Sequence, residues 1–252
     1  MSIAENLARV KEQIATAARR AGRAPAEIAL MAVSKTHSPE RIREAYLAGQ
    51  RLFGENRVQE FAEKRGALAD LAGAEFHLIG HLQTNKAKAA AELFGAVDSL
   101  DSLRLVRWLE KAKAEAEAAA RAGKRLPVLI EVNVGGEAQK SGVAPDSPEL
   151  EELLLAAPQC EHLEFRGLMT VPPFTEEAEG ARRYFRRLRE LRDTLAARHL
   201  PGIALDVLSM GMSHDFEVAI EEGSTCVRVG TAIFGERPGY AAAPSGASGD
   251  AR

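Results

Sequence analysis

The sequence predicts an α/β protein built as a single (β/α)8 (TIM) barrel, and three observations carry that reading. About eight short apolar runs alternate with helical stretches along the chain. The runs close on polar residues or glycine, as strands do at the C-terminal rim of a barrel. The competing fold, a doubly wound open sheet, would carry a G-x-G-x-x-G turn after its first strand, and none is present there. A length of 252 residues suits one such barrel.

The elements follow in order. Ile3, Leu7, Val10 and Ile14 recur at helical spacing with charged residues between them, so an extra N-terminal helix runs to about Gly22 ahead of the first strand. The apolar run over residues 28–33 is that strand. It closes on Ser34-Lys35-Thr36-His37, and Ser38, Pro39 and Glu40 start a helix that stops at Gly49. Leu52-Phe53 is a short strand leading into Gly54-Glu55-Asn56-Arg57. Residues 76–79 form the next and lead into Gly80-His81, and Ala96-Val97 leads into Asp98-Ser99-Leu100-Asp101. A long Ala/Glu/Lys/Arg helix covers about residues 103–122 and stops at Gly123.

The clearest strand spans residues 128–134 and enters Gly135-Gly136. Residues 165–171 are a strand ended by Pro172-Pro173, and a helix follows over residues 176–199. Residues 205–210 enter Gly211-Met212-Ser213, residues 215–222 are helical, and residues 226–229 are the last strand, opening into Gly230-Thr231. The barrel is thus predicted over residues 1–237. Residues 238–252 are rich in Gly, Ala, Ser and Pro without periodicity and read as a disordered tail. No second domain is expected.

Composition narrows the classes of function. Apolar residues make up 46% of the chain, enough for a substantial core. Lys and Arg number 33 against 36 Asp and Glu, a net charge of −3, which offers no global attraction to nucleic acid or an anionic membrane. Cys160 and Cys226 fit no metal or redox spacing and suggest no disulfide framework. The N-terminus lacks a signal-peptide core, and no apolar run is long enough to span a bilayer. The expectation is a cytoplasmic monomer without a metal site, bound to neither membrane nor nucleic acid.

Lys35 is the residue around which the chain is organised. A lysine at a strand end, partly desolvated by apolar walls, can have a depressed pKa, and its neutral amine could attack an aldehyde to form a Schiff base. The alternative is a lysine that holds its ammonium in water. In a barrel, Lys35, Asn56, His81, Asp98, Asn133, Thr170, Ser209 and Arg228 would share one rim, although loops are polar without any function. In Cys226-Val227-Arg228-Val229-Gly230, alternation turns both valines outward and Arg228 into the barrel. A buried guanidinium needs a partner: a ligand, or an acid such as Asp98 or Glu131.

Two glycine-bearing loops follow the last two strands, Ser209-Met210-Gly211-Met212-Ser213 and Gly230-Thr231-Ala232. Glycines let the backbone approach closely, helix N-termini offer N–H groups to an anion, and barrels often hold phosphate there. Ser213 and Thr231 would add hydroxyls, unless they serve as ordinary N-caps. A reactive lysine and a phosphate cup on one rim describe a site for a phosphorylated aldehyde. The arginines of the helix after residue 176, among them Arg182, Arg183, Arg186, Arg187 and Arg189, read as a solvated face or a docking surface.

Several segments carry a family resemblance. They are Ala32-Val33-Ser34-Lys35, Phe53-Gly54-Glu55-Asn56-Arg57-Val58-Gln59-Glu60, His77-Leu78-Ile79-Gly80-His81-Leu82-Gln83-Thr84-Asn85-Lys86 and Glu131-Val132-Asn133-Val134. Later in the chain come Lys140-Ser141-Gly142, Gly167-Leu168-Met169-Thr170, Leu208-Ser209-Met210-Gly211-Met212-Ser213-His214-Asp215 and Arg228-Val229-Gly230-Thr231-Ala232-Ile233-Phe234-Gly235. Together they closely resemble the pyridoxal-phosphate homeostasis protein family over about residues 3–237.

The resemblance implies a barrel like the N-terminal domain of alanine racemase (fold type III), with pyridoxal 5′-phosphate, the vitamin B6 cofactor, as a Schiff base on Lys35. It implies phosphate contacts from Ser213, Gly230 and Thr231, with Ser209, Met210 and Gly211 alongside. It sets Arg228 against the pyridine nitrogen and Asn56 and His81 near the cofactor. It implies a non-enzymatic carrier or buffer of the cofactor, with apo-enzymes that use it as partners and effects on amino-acid and keto-acid balance. An arginine does not readily give its proton to the ring nitrogen, so the ring is a poorer electron sink than one paired with a carboxylate. No residue is assigned a catalytic role. A racemase of narrow range using His81 or His37 as base is the alternative. An aldolase-like barrel using Lys35 on a sugar phosphate without cofactor is a third reading.

Overall fold

The computed structural model describes residues 1–120, 124–137 and 139–236, without the side chains of residues 117–120. Eight parallel strands close into a barrel in sequence order: β1 (Ala29–Val33), β2 (Leu52–Glu55), β3 (Glu75–Leu78), β4 (Ala96–Leu100), β5 (Leu126–Glu131), β6 (Leu163–Met169), β7 (Ile203–Met212) and β8 (Cys226–Val229). β8 closes the ring on β1, with Met31 opposite Arg228 and Ala32 opposite Val229. Full closure leaves no strand edge unpaired.

Helices form the outer layer: α1 (Ile3–Arg20), α2 (Pro39–Leu47), α3 (Val58–Arg65), α4 (Ala87–Leu93), α5 (Leu103–Ala120), α6 (Pro148–Ala156), α7 (Arg182–Ala197), α8 (Phe216–Glu221) and the short α9 (Thr231–Phe234). None of the described helices is long and apolar enough to cross a membrane. The helix stop expected at Gly123 and the tail expected over residues 238–252 lie outside the described residues.

The core lies between the two layers. Outward strand residues such as Ala32, Phe53, Phe76, Val128, Phe165 and Val227 pack against helix residues such as Ile42, Phe61, Leu109 and Leu188. α1 is the extra helix. Ser2 and Glu5 cap it reciprocally, its apolar stripe of Ile3, Leu7, Val10 and Ile14 is buried, and it packs against α2, α8 and α9. Asn6 and Arg9 fasten it to the α9 turn by donating to the Ile233 and Ala232 carbonyls.

Two expectations are corrected. α7 begins at Arg182, because Thr175 to Glu177 stay irregular and a 3-10 turn, Ala178–Ala181, precedes the helix. Asp98 does not reach the C-terminal rim. β4 continues to Leu100, and Asp98 sits at its middle, buried, 3.1 Å from His77 Nδ1 of β3. A polar residue there marks an inward position rather than a strand end. The arginines of α7 keep to a partly exposed face and are largely ion-paired there. Buried Glu222 takes Arg182, Arg186 and Arg189 at 2.9–3.1 Å, and Arg182 also meets Glu179 and Glu221.

Candidate functional site

Lys35 lies two residues past β1, half-buried, where the chain turns toward α2. The turn is tight. Thr36 takes φ +66°, a left-handed conformation uncommon for a β-branched residue. His37 is buried and stacks on Phe234 of α9, with ring centroids 4.7 Å apart.

On the neighbouring strand, Arg228 points from β8 into the barrel and is buried. Nη1 donates to Ser209 Oγ and Nη2 to the Thr170 carbonyl, both at 2.7 Å. The ion pair with Asp98 or Glu131 is absent: among the described residues Arg228 makes none, and those acids act on it only at longer range, as does Asp215. Desolvation therefore draws its pKa below the usual arginine value. The result is a buried cation held by two neutral oxygens.

Glu131 closes β5 on the same interior. Burial, and secondly the charge of Asp101, push its carboxyl up to about 7, with Arg228 pulling the other way. Its Oε2 is buried without a hydrogen-bond partner. Gly142, at φ +101°, packs over it so closely that a Cβ would lie 3.1 Å from Glu131 Cγ.

Ser213 joins the two glycine-bearing segments. Its Oγ accepts from the Gly230 and Ala232 amides at 3.2 and 3.4 Å. Asp215 Oδ1 accepts from Met212 N at 2.6 Å and pins the same loop. Ser213, His214 and Ala232 share the walls of a cavity of about 490 Å³ with Arg9 and Arg20 of α1. Thr231 is exposed at the first position of α9.

Asn56 and His81 come from the segments after β2 and β3. These run so close that a Cβ on Gly80 would sit 2.3 Å from the Asn56 carbonyl oxygen. His81 is exposed, with Nδ1 3.0 Å from Asp101 Oδ2. Met210 is fully buried in the apolar layer under the helices. Since Ser209 faces Arg228, alternation turns Met210 outward, and only its main chain borders the mouth. Gly211 there has φ +94°, and a Cβ would come within 2.5 Å of Ala219 Cβ. Asn133 serves its own turn, accepting from Gly136 N and donating to the Glu137 carbonyl.

A second cavity, of about 320 Å³, opens at the other end, among strand starts such as Ala29, Leu52 and Pro127 and the His77–Asp98 pair. Burial opposes charge on His77, but the charge and hydrogen bond of Asp98, together with the charge of Glu75, make the net shift of its pKa upward. Sequence reading also missed a polar cluster behind Lys35: buried Ser34, Glu55 and Lys64 with the partly exposed Glu60. Its one linear trace is the Glu60–Lys64 spacing of four on α3.

The rim thus brings together a half-buried lysine, a buried guanidinium and a hydroxyl gathering two backbone amides. A group with a carbonyl carbon, a hydrogen-bonding ring atom and an anionic tail matches that donor set. A family model for the alanine racemase N-terminal domain matches residues 6–238. The pyridoxal phosphate homeostasis protein of Aquifex aeolicus is 50% identical over 241 residues, covering 94% of this chain and 99% of that protein. The protein of the same name from Pseudomonas aeruginosa is 46% identical over 237 residues, covering 94% and 96%. Among solved structures, PipY of Synechococcus elongatus with PLP bound superposes with a TM-score of 0.79 at 36% identity, over 93% of this chain and all of that one.

Proposed function

The chain belongs to the pyridoxal phosphate homeostasis protein family, with the alanine racemase N-terminal barrel, and on that premise we propose that it binds pyridoxal 5′-phosphate at the rim, attached to Lys35, and acts in cytoplasmic homeostasis of the cofactor. The observation that carries the reading is that Lys35, Arg228 and Ser213 stand on or just past three adjacent strands, β1, β8 and β7, toward their C-terminal ends. The donor set fits: an amine for the aldehyde, a fixed cation for the ring nitrogen, hydroxyl and amide groups for the phosphate. Bound there, the cofactor supplies an aldehyde carbon to which an amine nitrogen bonds with loss of water, and a ring that draws electrons from that centre.

The protein's own residues do the rest. Ser209 and the Thr170 carbonyl hold Arg228 as a donor toward the ring nitrogen, and arginine keeps its proton there. Ser213, Gly230 and Thr231 would meet the phosphate, with the Ser209–Gly211 main chain alongside. Asn56 and His81 flank the mouth.

We read the protein as a monomeric carrier that passes the cofactor to apo-enzymes, not as a catalyst. Of the described tyrosines, neither is presented as a base: Tyr46 donates to the Ala72 carbonyl, and the Tyr184 hydroxyl accepts from Arg183. One observation favours the alternative, a racemase of narrow range: the exposed His81 is oriented by Asp101 as a general base is. The loaded protein, mixed with an apo-enzyme, is expected to restore that enzyme's activity. It is also expected to exchange no α-proton of any amino acid with deuterated water. Rapid exchange without transfer would establish the racemase instead.

A further inference from the structure

Lys35 has a clamp behind it. On the helix side of the barrel, Lys64 of α3 is buried, and its Nζ lies 2.6 Å from Glu60 Oε1, 3.4 Å from both Glu55 oxygens and 3.3 Å from the Ser34 carbonyl. Ser34 Oγ donates to Glu55 Oε1 at 2.7 Å. The Glu60 oxygen that receives Lys64 also accepts from the Thr36 amide at 2.5 Å. One ammonium and two carboxylates therefore hold the residue before Lys35 and the residue after it. The second of these, Thr36, is the residue in the left-handed conformation. Such a conformation persists at a β-branched residue only where the surroundings over-determine it, and it accompanies functional sites.

A fold stabiliser would not need this arrangement. Two carboxylates meet one buried ammonium, and burial raises the pKa of Glu55 despite the cation beside it. What the cluster does achieve is to fix both flanks of one side chain. We propose that Lys64, through Glu60 and Glu55, is a positioning residue for Lys35: it holds the turn that presents the amine to the barrel mouth, without touching the ligand. This rests on the reading of Lys35 as the attachment point.

Two probes separate positioning from folding: pyridoxal 5′-phosphate, and 4′-deoxypyridoxine 5′-phosphate, which shares the ring and phosphate but has no aldehyde. In the full chain, Lys64→Met should weaken binding of the first by roughly tenfold or more and leave the second within about twofold, since small misplacements of a reacting group are costly. Lys64→Arg should recover most of the loss. Glu60→Ala, which frees the Thr36 amide at a partly exposed position, should show the same selective loss and guards against misfolding of the Met variant. The proposal is overturned if both probes weaken together, or if neither weakens in either variant. Borohydride trapping and peptide mapping of the unsubstituted chain check the underlying assignment separately. If no adduct forms on Lys35, the attachment reading fails, and this inference with it.

Discussion

Arg228 and Ser209 meet inside the barrel through one hydrogen bond of 2.7 Å, a cation facing a hydroxyl with no carboxylate between them. The arrangement leaves the guanidinium available to a ligand, which an ion pair would not. Ser209→Ala removes one of its two neutral partners. A hydrogen bond to a charged group contributes about 1.5–3 kcal/mol, so urea denaturation should show a loss of that size. A change near zero would mean that the Thr170 carbonyl alone satisfies the arginine.

Gly80 has a simpler prediction. An alanine Cβ would lie 2.3 Å from the Asn56 carbonyl oxygen, and backbone has to move. Overpacking of this kind costs about 1–3 kcal/mol. Gly80→Ala should lower the unfolding free energy by that amount and weaken cofactor binding, because Asn56 shifts with it. A neutral effect on both would contradict the close approach.

Glu131 makes stability depend on pH. Its carboxyl is held up at about 7, above the usual 4.5, so the folded chain binds that proton more tightly than the unfolded chain. The associated stability is fully present below pH 4.5 and is lost as pH rises through about 7. Glu131→Gln stays neutral and should gain on the parent by up to about 3 kcal/mol between roughly pH 5 and 8. Parallel pH–stability curves for the two proteins would refute the shift.

Glu222 holds three arginines together and is itself buried. Removing it leaves Arg186 and Arg189 without their shared carboxylate and α8 less tied to α7. Because they are partly exposed, Glu222→Ala should cost on the order of 1–2 kcal/mol, less than a fully buried pair would. Thermal denaturation at low and high salt reads the effect, which should shrink as salt screens the charges.

Much of this was legible in the chain. Ser38, Pro39 and Glu40 marked where the Lys35 turn becomes a helix, and β/α alternation supplied the barrel. Alternation through Val227 and Val229 also turned Arg228 inward, where it lies. What failed to show depends on contacts across elements. Asp98 looked like a strand end because an inward polar residue breaks an apolar run just as a loop does. Glu55 and Lys64 are separated from Ser34 by whole elements, so their shared contact appears only once β1, β2 and α3 are packed. The pairing of the α7 arginines with Glu221 and Glu222 was hidden for the same reason.

The most direct test of the account is an absorption spectrum of the pure protein with added pyridoxal 5′-phosphate, followed by borohydride reduction and peptide mass mapping. The account predicts a new band near the visible edge and a single adduct on Lys35. It predicts that Lys35→Ala abolishes both while the barrel stays folded. No band, or adducts scattered over surface lysines and unchanged in Lys35→Ala, would contradict it.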